Sequence, residues 1–134
     1  MAYNLRRKYA VHPAKVLLID DDPVLLDLMT AAFRMAGYQT ESAENGRKGL
    51  DLVDGYCPDL VITDIVMPEM EGIGAIMAIK RKPRPPKVIA ISGVGRLRYG
   101  DYLTWASHLG ADEVLAKPFK MSDILNLAQR VIEN

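Results

Sequence analysis

Three short, continuous apolar runs constrain the fold of this chain more than any other feature. Lys15–Ile19, Asp59–Thr63 and Lys87–Ile91 each begin with a charged residue and continue with aliphatic side chains. An uninterrupted run of this kind is typical of a strand that is buried on both faces, as in a parallel sheet. Tyr38–Ser42 alternates more weakly and predicts a strand nearer an edge. Glu113–Ala116 is short but has turn residues on both sides, and predicts a fifth strand.

Helical patterns lie between these runs. Asp22-Pro23 predicts an N-cap followed by proline at the first helical position, and Gly37 predicts the end of that helix. The remaining helices are predicted at about 45–56 (ending at Gly55), 72–79 and 98–109, with a last helix starting at the cap Ser122. Strand and helix thus alternate five times, which predicts an α/β fold: a parallel sheet with five helices packed on both of its faces.

Length and composition agree with one domain. The chain has 134 residues, of which 49% are hydrophobic and 25% charged, and its 17 basic residues balance its 17 acidic ones. This balance gives no bulk-charge argument for nucleic acid binding, and the single Cys57 excludes an internal disulfide framework and a cysteine zinc site. No signal peptide and no apolar run of membrane-spanning length is visible. We therefore expect a soluble, cytoplasmic protein, with residues 1–14 as a flexible N-terminal extension and residues 15–134 as the folded domain.

Polar residues follow the predicted strands at their carboxyl ends, where ligands bind in parallel α/β sheets. They are Asp20, Asp21 and Asp22 after the first strand, Asp64 after the third, Ser92 after the fourth and Lys117 after the fifth. Carboxylates this close together need a compensating cation, and an oxygen-only ligand set favours a hard ion such as Mg²⁺. Asp22 is expected to serve only as the helix cap.

A lysine and a hydroxyl group beside such an ion suit phosphoryl transfer. Lys117 supplies a mobile positive charge and Ser92 a hydrogen-bond donor, both of which stabilise charge on phosphoryl oxygens. An aspartate can itself be the nucleophile and form an aspartyl phosphate. Taken alone, a serine or lysine at a strand end is more often a solvated or capping residue, so the argument depends on the whole set.

The motifs that carry this set resemble, in order, those of the receiver domains of two-component response regulators. The resemblance covers about residues 15–132 and rests on the first strand with its acid pair (Lys15–Pro23), Ala43–Gly46 with Gly49-Leu50, Pro58–Pro68 with Glu71-Gly72, Ile91–Gly93, Gly110–Asp112 and Leu115–Phe119. It implies a doubly wound five-stranded sheet in the flavodoxin-like order 2-1-3-4-5.

The same resemblance implies a mechanism and partners. Asp64 would accept a phosphoryl group from a histidine kinase or a histidine phosphotransfer protein. Asp20, Asp21, Asp64 and the backbone carbonyl of Val66 would hold Mg²⁺, while Ser92 and Lys117 would contact the phosphoryl oxygens. The chain would then be a phosphorylation-controlled switch rather than an enzyme, acting on a separate, unknown target protein through the surface around the fourth helix and fifth strand. The resemblance also makes Lys117–Pro118 a candidate cis peptide bond.

Three valines stand at positions that depart from the family pattern or tune it. Val114 stands where many receivers carry a tyrosine or phenylalanine that swings inward on phosphorylation, so coupling through an aromatic switch is not expected. Val66 and Val94, two residues after the acceptor and the hydroxyl residue, are apolar and cannot orient a hydrolytic water. Slow self-dephosphorylation is therefore predicted.

Tyr99, Tyr102 and Trp105 recur along the fourth predicted helix and either pack on the sheet or form a partner surface.

Two other classes of protein fit parts of the sequence. Asp20 to Val24 also fits the nucleophile motif of haloacid-dehalogenase-type phosphatases, which would make Asp20 the nucleophile of a hydrolase. That interpretation lacks a later acidic motif and leaves the Asp64 segment unexplained. A binding module without phosphorylation is the third possibility, although every acidic, hydroxyl and lysine position is intact. The favoured hypothesis is a stand-alone receiver domain.

Overall fold

The computed structural model describes residues 13–65, 71–93, 104, 108 and 110–134. In these residues five strands form one parallel sheet in the order β2-β1-β3-β4-β5, which confirms the predicted architecture. The strands are β1 (Lys15–Ile19), β2 (Gln39–Ala43), β3 (Leu60–Asp64), β4 (Lys87–Ser92) and β5 (Glu113–Ala116). The helices of the described part are α1 (Pro23–Met35), α2 (Gly46–Tyr56), α3 (Glu71–Lys80) and α4 (Met121–Glu133).

The helix predicted at 98–109 lies outside the described residues, apart from Thr104 and His108, which are both helical. Residues 1–12 lie outside them as well, so the N-terminal extension stays a prediction. No helix of the described residues is long and apolar enough to cross a membrane.

Both faces of the sheet are buried, as the continuous apolar runs require. Along β1, Val16 and Leu18 pack into one hydrophobic cluster with α1 and α4, whereas Leu17 and Ile19 pack into a second cluster with α2 and α3. All four side chains are fully buried. Successive side chains of a strand point to opposite faces, so each position of a strand between two helical layers is buried on one face or the other.

The caps of two helices follow the sequence. The Asp22 side chain accepts hydrogen bonds from the backbone N–H groups of Val24 and Leu25, which confirms it as the N-cap of α1. Gly37, with φ +97°, lies just beyond the end of that helix and turns the chain into β2. Asn45 caps α2 by accepting from the backbone N–H of Lys48 at 2.8 Å.

Two predicted helix ends were wrong. Gly55 lies inside α2, and the helix continues to Tyr56; its C-cap is Cys57, which adopts a left-handed conformation with φ +53° before Pro58. The residue before a proline is disfavoured in the α region, and this stops the helix where glycine does not. The last helix begins at Met121 rather than after Ser122, because the Asp123 carboxylate accepts a hydrogen bond from the backbone N–H of Lys120.

Candidate functional site

The carboxyl ends of four strands bring the predicted site residues to one edge of the sheet. Asp20 follows β1 directly, Asp64 is the last residue of β3, Ser92 is the last residue of β4 and Lys117 follows β5. The backbone N–H of Lys117 donates to the carbonyl of Ser92 at 2.8 Å, which continues the β4–β5 pairing one residue beyond the strand. Side chains that are 97 positions apart in the chain therefore meet at this edge.

The carboxylates of Asp20, Asp21 and Asp64 form a tight cluster. One oxygen from each lies within 4.8 Å of the others. Asp20 and Asp64 are buried, with side-chain exposures of 0% and 5%, whereas Asp21 lies at the exposed rim. A hard divalent cation fits this set of oxygen donors, because Mg²⁺ binds one or two carboxylates and keeps several water ligands. The exposed side of the cluster, at Asp21, gives those waters access.

Lys117 supplies positive charge to the same cluster. Its Nζ donates to Asp64 Oδ2 at 2.8 Å and to Asp20 Oδ2 at 3.3 Å, and its side chain is 25% exposed. Burial acts to lower the pKa of Lys117, but the hydrogen bond and charge of Asp64, followed by those of Asp20, outweigh burial and raise that pKa above its usual value. The lysine is thus held as a cation between the two buried carboxylates.

Asp20 is the least solvated acid of the site. Burial is the largest influence on its pKa and raises it above the usual value, and the charge of Asp64 acts in the same direction. The backbone N–H of Asp22, which donates to Asp20 Oδ1 at 2.8 Å, and the ammonium group of Lys117 oppose that shift. A further cation beside Asp20 would stabilise its ionised form.

Ser92 and the remaining predicted residues are placed as follows. Ser92 is fully buried at the end of β4, and its hydroxyl is 3.5 Å from the carbonyl oxygen of Gly93. The Lys117–Pro118 peptide bond is cis, as predicted. Val114 is half-buried on β5 and packs against the cluster beneath α2 and α3. Val66, Val94 and the aromatic residues at 99, 102 and 105 lie outside the described residues.

Two residues that the sequence analysis named only as parts of motifs make contacts that hold this edge and the opposite one. Gly72, in the first turn of α3, lies against the backbone of Asp64 so closely that a Cβ there would be 2.0 Å from the Asp64 carbonyl oxygen. At the amino ends of the strands, Asp112 Oδ2 accepts from the backbone N–H of Val88 at 2.8 Å and from Lys80 Nζ at 3.0 Å. Glycine in a helical pattern was the available signal for the first contact. The second contact depends on tertiary placement and had no local signal.

The doubly wound parallel sheet, with three aspartates and a lysine at its carboxyl edge, places the protein among the flavodoxin-like α/β folds. Proteins of this class bind their ligands at the carboxyl ends of the strands. Within that class, the family model of the response regulator receiver domain matches residues 16–129. The chain belongs to this family, and the hydrolase interpretation loses its basis.

Curated relatives agree with this assignment. Sporulation initiation phosphotransferase F of Bacillus subtilis is 33% identical over 118 residues, which are 88% of this chain and 93% of the relative. The DNA-binding dual master transcriptional regulator RpaA of Synechocystis is 32% identical over 83% of this chain. The chain spans only 46% of that regulator and 25% of the regulatory protein AtoC of Escherichia coli.

Solved structures show the same fold. The chemotaxis response regulator CheY4 of Vibrio cholerae superposes with a TM-score of 0.79 at 26% identity, covering 89% of this chain and 98% of the other. A CheY-like response regulator receiver domain protein from Methanospirillum hungatei gives a TM-score of 0.80 at 27% identity, covering 90% and 94% of the two chains.

Proposed function

We propose that this chain is a phosphoacceptor switch in which Asp64 receives a phosphoryl group from a histidine kinase or a histidine phosphotransfer protein. The observation that carries the proposal is the environment of Asp64. Its carboxylate is 5% exposed, lies 2.8 Å from Lys117 Nζ and shares a cluster with Asp20 and Asp21. A carboxylate that is only a structural ion-pair partner needs no further acids beside it, since they raise the cost of its charge.

Asp20, Asp21 and Asp64 would hold Mg²⁺, together with the backbone carbonyl of Val66. When bound, the ion supplies charge stabilisation on phosphoryl oxygens. The buried position of Asp20 supports this part of the proposal, because a carboxylate whose charge is disfavoured by burial gains more from a nearby cation than an exposed one does.

In the proposed reaction an oxygen of Asp64 attacks the phosphorus of a phosphohistidine. The new bond joins that oxygen to phosphorus, the phosphorus–nitrogen bond breaks, and the electron pair of the broken bond stays on the imidazole of the donor. Lys117, which already lies between Asp64 and Asp20, would pair with one phosphoryl oxygen, and the hydroxyl of Ser92 would donate to another. The chain assists only its own phosphorylation and slow dephosphorylation, and turns over no other substrate.

A surface for the donor lies beside the acid cluster. Helix α1 starts at Pro23, next to the acidic run, and its outward face presents Val24, Leu28 and Met35 with exposures of 67%, 57% and 88%. An exposed apolar face of this kind is typical of a protein–protein contact. We include it in the proposal as the docking surface of the phosphoryl donor. Kinases draw phosphoryl groups from ATP, so the proposed location is the cytoplasm.

For the output surface we propose the region around the helix predicted at 98–109 and β5. The target is a separate protein, and Val114 replaces the aromatic switch, so the signal would pass through the loop after Ser92. Val66 and Val94 support a long-lived phosphoryl group, and loss of that group within seconds would refute this part.

The test is intact mass spectrometry after incubation with acetyl phosphate and Mg²⁺, with Asp64→Asn and Asp20→Asn as variants. We expect a gain of one phosphoryl group that needs Mg²⁺ and is absent from Asp64→Asn, with a slower gain in Asp20→Asn. Phosphorylation that persists in Asp64→Asn would contradict the assignment of the acceptor. No gain in any chain would favour the binding module.

A further inference from the structure

We propose that Gly72 is a positioning residue of the acid cluster: its lack of a side chain lets the first turn of α3 rest on the backbone of Asp64 and so sets where the Asp64 carboxylate lies. The inference rests on the proposed function only for its phosphorylation readout. Gly72 lies against the backbone of Asp64 and of Ile65.

The contact is closer than any other residue would allow. A Cβ built on Gly72 would be 2.0 Å from the carbonyl oxygen of Asp64, 2.7 Å from Cα of Ile65 and 3.0 Å from the carbonyl carbon of Asp64. All three atoms belong to the backbone, so no side-chain rotation relieves the overlap. Alanine at this position would force the helix and the end of β3 apart by about 1 Å.

The backbone around Asp64 is fixed on its other sides. The backbone N–H of Ile65 donates to the carbonyl of Ile91 at 3.0 Å, and the hydroxyl of Thr63 donates to the Asp64 carbonyl at 3.2 Å. The sheet therefore holds the Asp64 backbone on one side, and α3 holds it on the other. Displacing α3 tilts Asp64, and the 2.8 Å hydrogen bond from Lys117 to the Asp64 carboxylate tolerates little movement.

A shift of this size matters more for the cluster than for the fold. Mg²⁺ requires ligand distances close to 2.1 Å in near-octahedral geometry, and a misplacement of about 1 Å in a reacting group can lower a rate by about a hundredfold. Packing of α3 on the sheet involves many side chains, among them the buried Ala75, Ile76 and Ile79, and depends less on one contact.

Gly74 gives a matched control. It lies two positions further along the same helix, is exposed, and has no atom within 4 Å of a built Cβ. Gly72→Ala and Gly74→Ala thus add the same methyl group and the same gain in helix propensity, and differ only in the contact with Asp64.

The experiment compares the Mg²⁺ affinity, by isothermal titration calorimetry, and the initial rate of phosphorylation by acetyl phosphate of the wild type and both variants. Urea unfolding of each is measured in parallel. We expect Gly72→Ala to lower the Mg²⁺ affinity and the rate by about tenfold or more each, and Gly74→Ala to change neither by more than about twofold. A Gly72→Ala protein that is less stable but binds Mg²⁺ and is phosphorylated like the wild type would show a purely structural role and overturn the proposal.

Two further outcomes are separated by design. If Gly72→Ala does not fold, the double variant Gly72→Ala/Gly74→Ala, in which the second alanine adds helix propensity to offset part of the lost stability, is measured instead. Failure of both variants to fold would assign the contact to the fold and refute the proposal. If the wild type binds Mg²⁺ but accepts no phosphoryl group, the proposed function fails, while the ratio of Mg²⁺ affinities still decides the role of Gly72.

Discussion

Replacing Lys117 by methionine removes a cation that pairs with the buried carboxylates of both Asp20 and Asp64, and keeps most of the side-chain volume. Removing one partner of a buried ion pair leaves an uncompensated charge and costs about 3–5 kcal/mol. Lys117 is one quarter exposed, so its loss belongs at the lower end, near 3 kcal/mol. With a slope of about 1.5 kcal/mol per molar urea, the midpoint of unfolding should fall by roughly 2 M.

The chain contains a closely matched control for this substitution. Lys82 pairs with Asp54 at 2.8 Å, the distance of the Lys117–Asp64 pair, and both lysine side chains are 25% exposed. The aspartates differ, since Asp54 is 78% exposed and Asp64 is 5% exposed. Exposed pairs contribute about 0–1 kcal/mol, so Lys82→Met should cost at most about 1 kcal/mol.

The assay is urea unfolding at pH 7 in EDTA, which keeps divalent ions from compensating the acids. We expect a loss about 2 kcal/mol larger for Lys117→Met than for Lys82→Met. The double variant Asp64→Asn/Lys117→Met should recover part of the loss, because it also removes one of the two repelling charges. Equal losses for the two methionine variants, within about 0.5 kcal/mol, would refute the reasoning that burial of the partner determines the cost.

Three other predictions concern residues outside this cluster. Asp112→Ala should lower the free energy of unfolding by about 1–3 kcal/mol, because the backbone N–H of Val88 and the Lys80 ammonium lose their acceptor; Asp112→Asn, which keeps one, should lose less. Burial, followed by the charge of Glu41, raises the pKa of Tyr56 to about 12. The folded state therefore keeps this proton to a higher pH than the unfolded state does. The stability that Tyr56 contributes is full below pH 10 and is lost as the pH rises towards 12. A spectrophotometric titration of the wild type and of Tyr56→Phe measures this pKa by difference. Leu28→Ser should slow transfer from a phosphohistidine donor by at least about fivefold without changing the rate with acetyl phosphate, and equal slowing of both would contradict a docking role for α1.

Much of the fold could be predicted from the sequence because burial on both faces leaves an unambiguous pattern. The range of β1 was predicted to the residue, since Val16 to Ile19 alternate between two buried clusters. The end of β3 was placed one residue early, because Asp64 is a charged residue that is nevertheless paired within the sheet. Helix ends were harder: Cys57 in a left-handed conformation has no signal except the proline that follows it.

The candidate site was predictable in its members but not in its contacts. Because ligands bind at the carboxyl ends of parallel strands, the sequence predicted that Asp20, Asp64 and Lys117 lie at the same edge of the sheet, although they are far apart in the chain. That Lys117 would bridge the two acids depends on side-chain reach, which no local pattern encodes. The same limit applies to Gly72, because a close approach between backbones becomes visible only when both elements are in place.

The strand order has a consequence for how the molecule is assembled during synthesis. In the order β2-β1-β3-β4-β5, every strand after β3 adds at one growing edge, next to the strand made just before it, and none has to be inserted between two strands that are already paired. Lys117 follows the last of these strands. A nascent chain that ends after β4 therefore lacks the lysine that pairs with Asp20 and Asp64, and it also lacks α4, which packs against β1, β3 and β4. Because domains generally fold as units, we expect the sheet to become stable only after both β5 and α4 have been made.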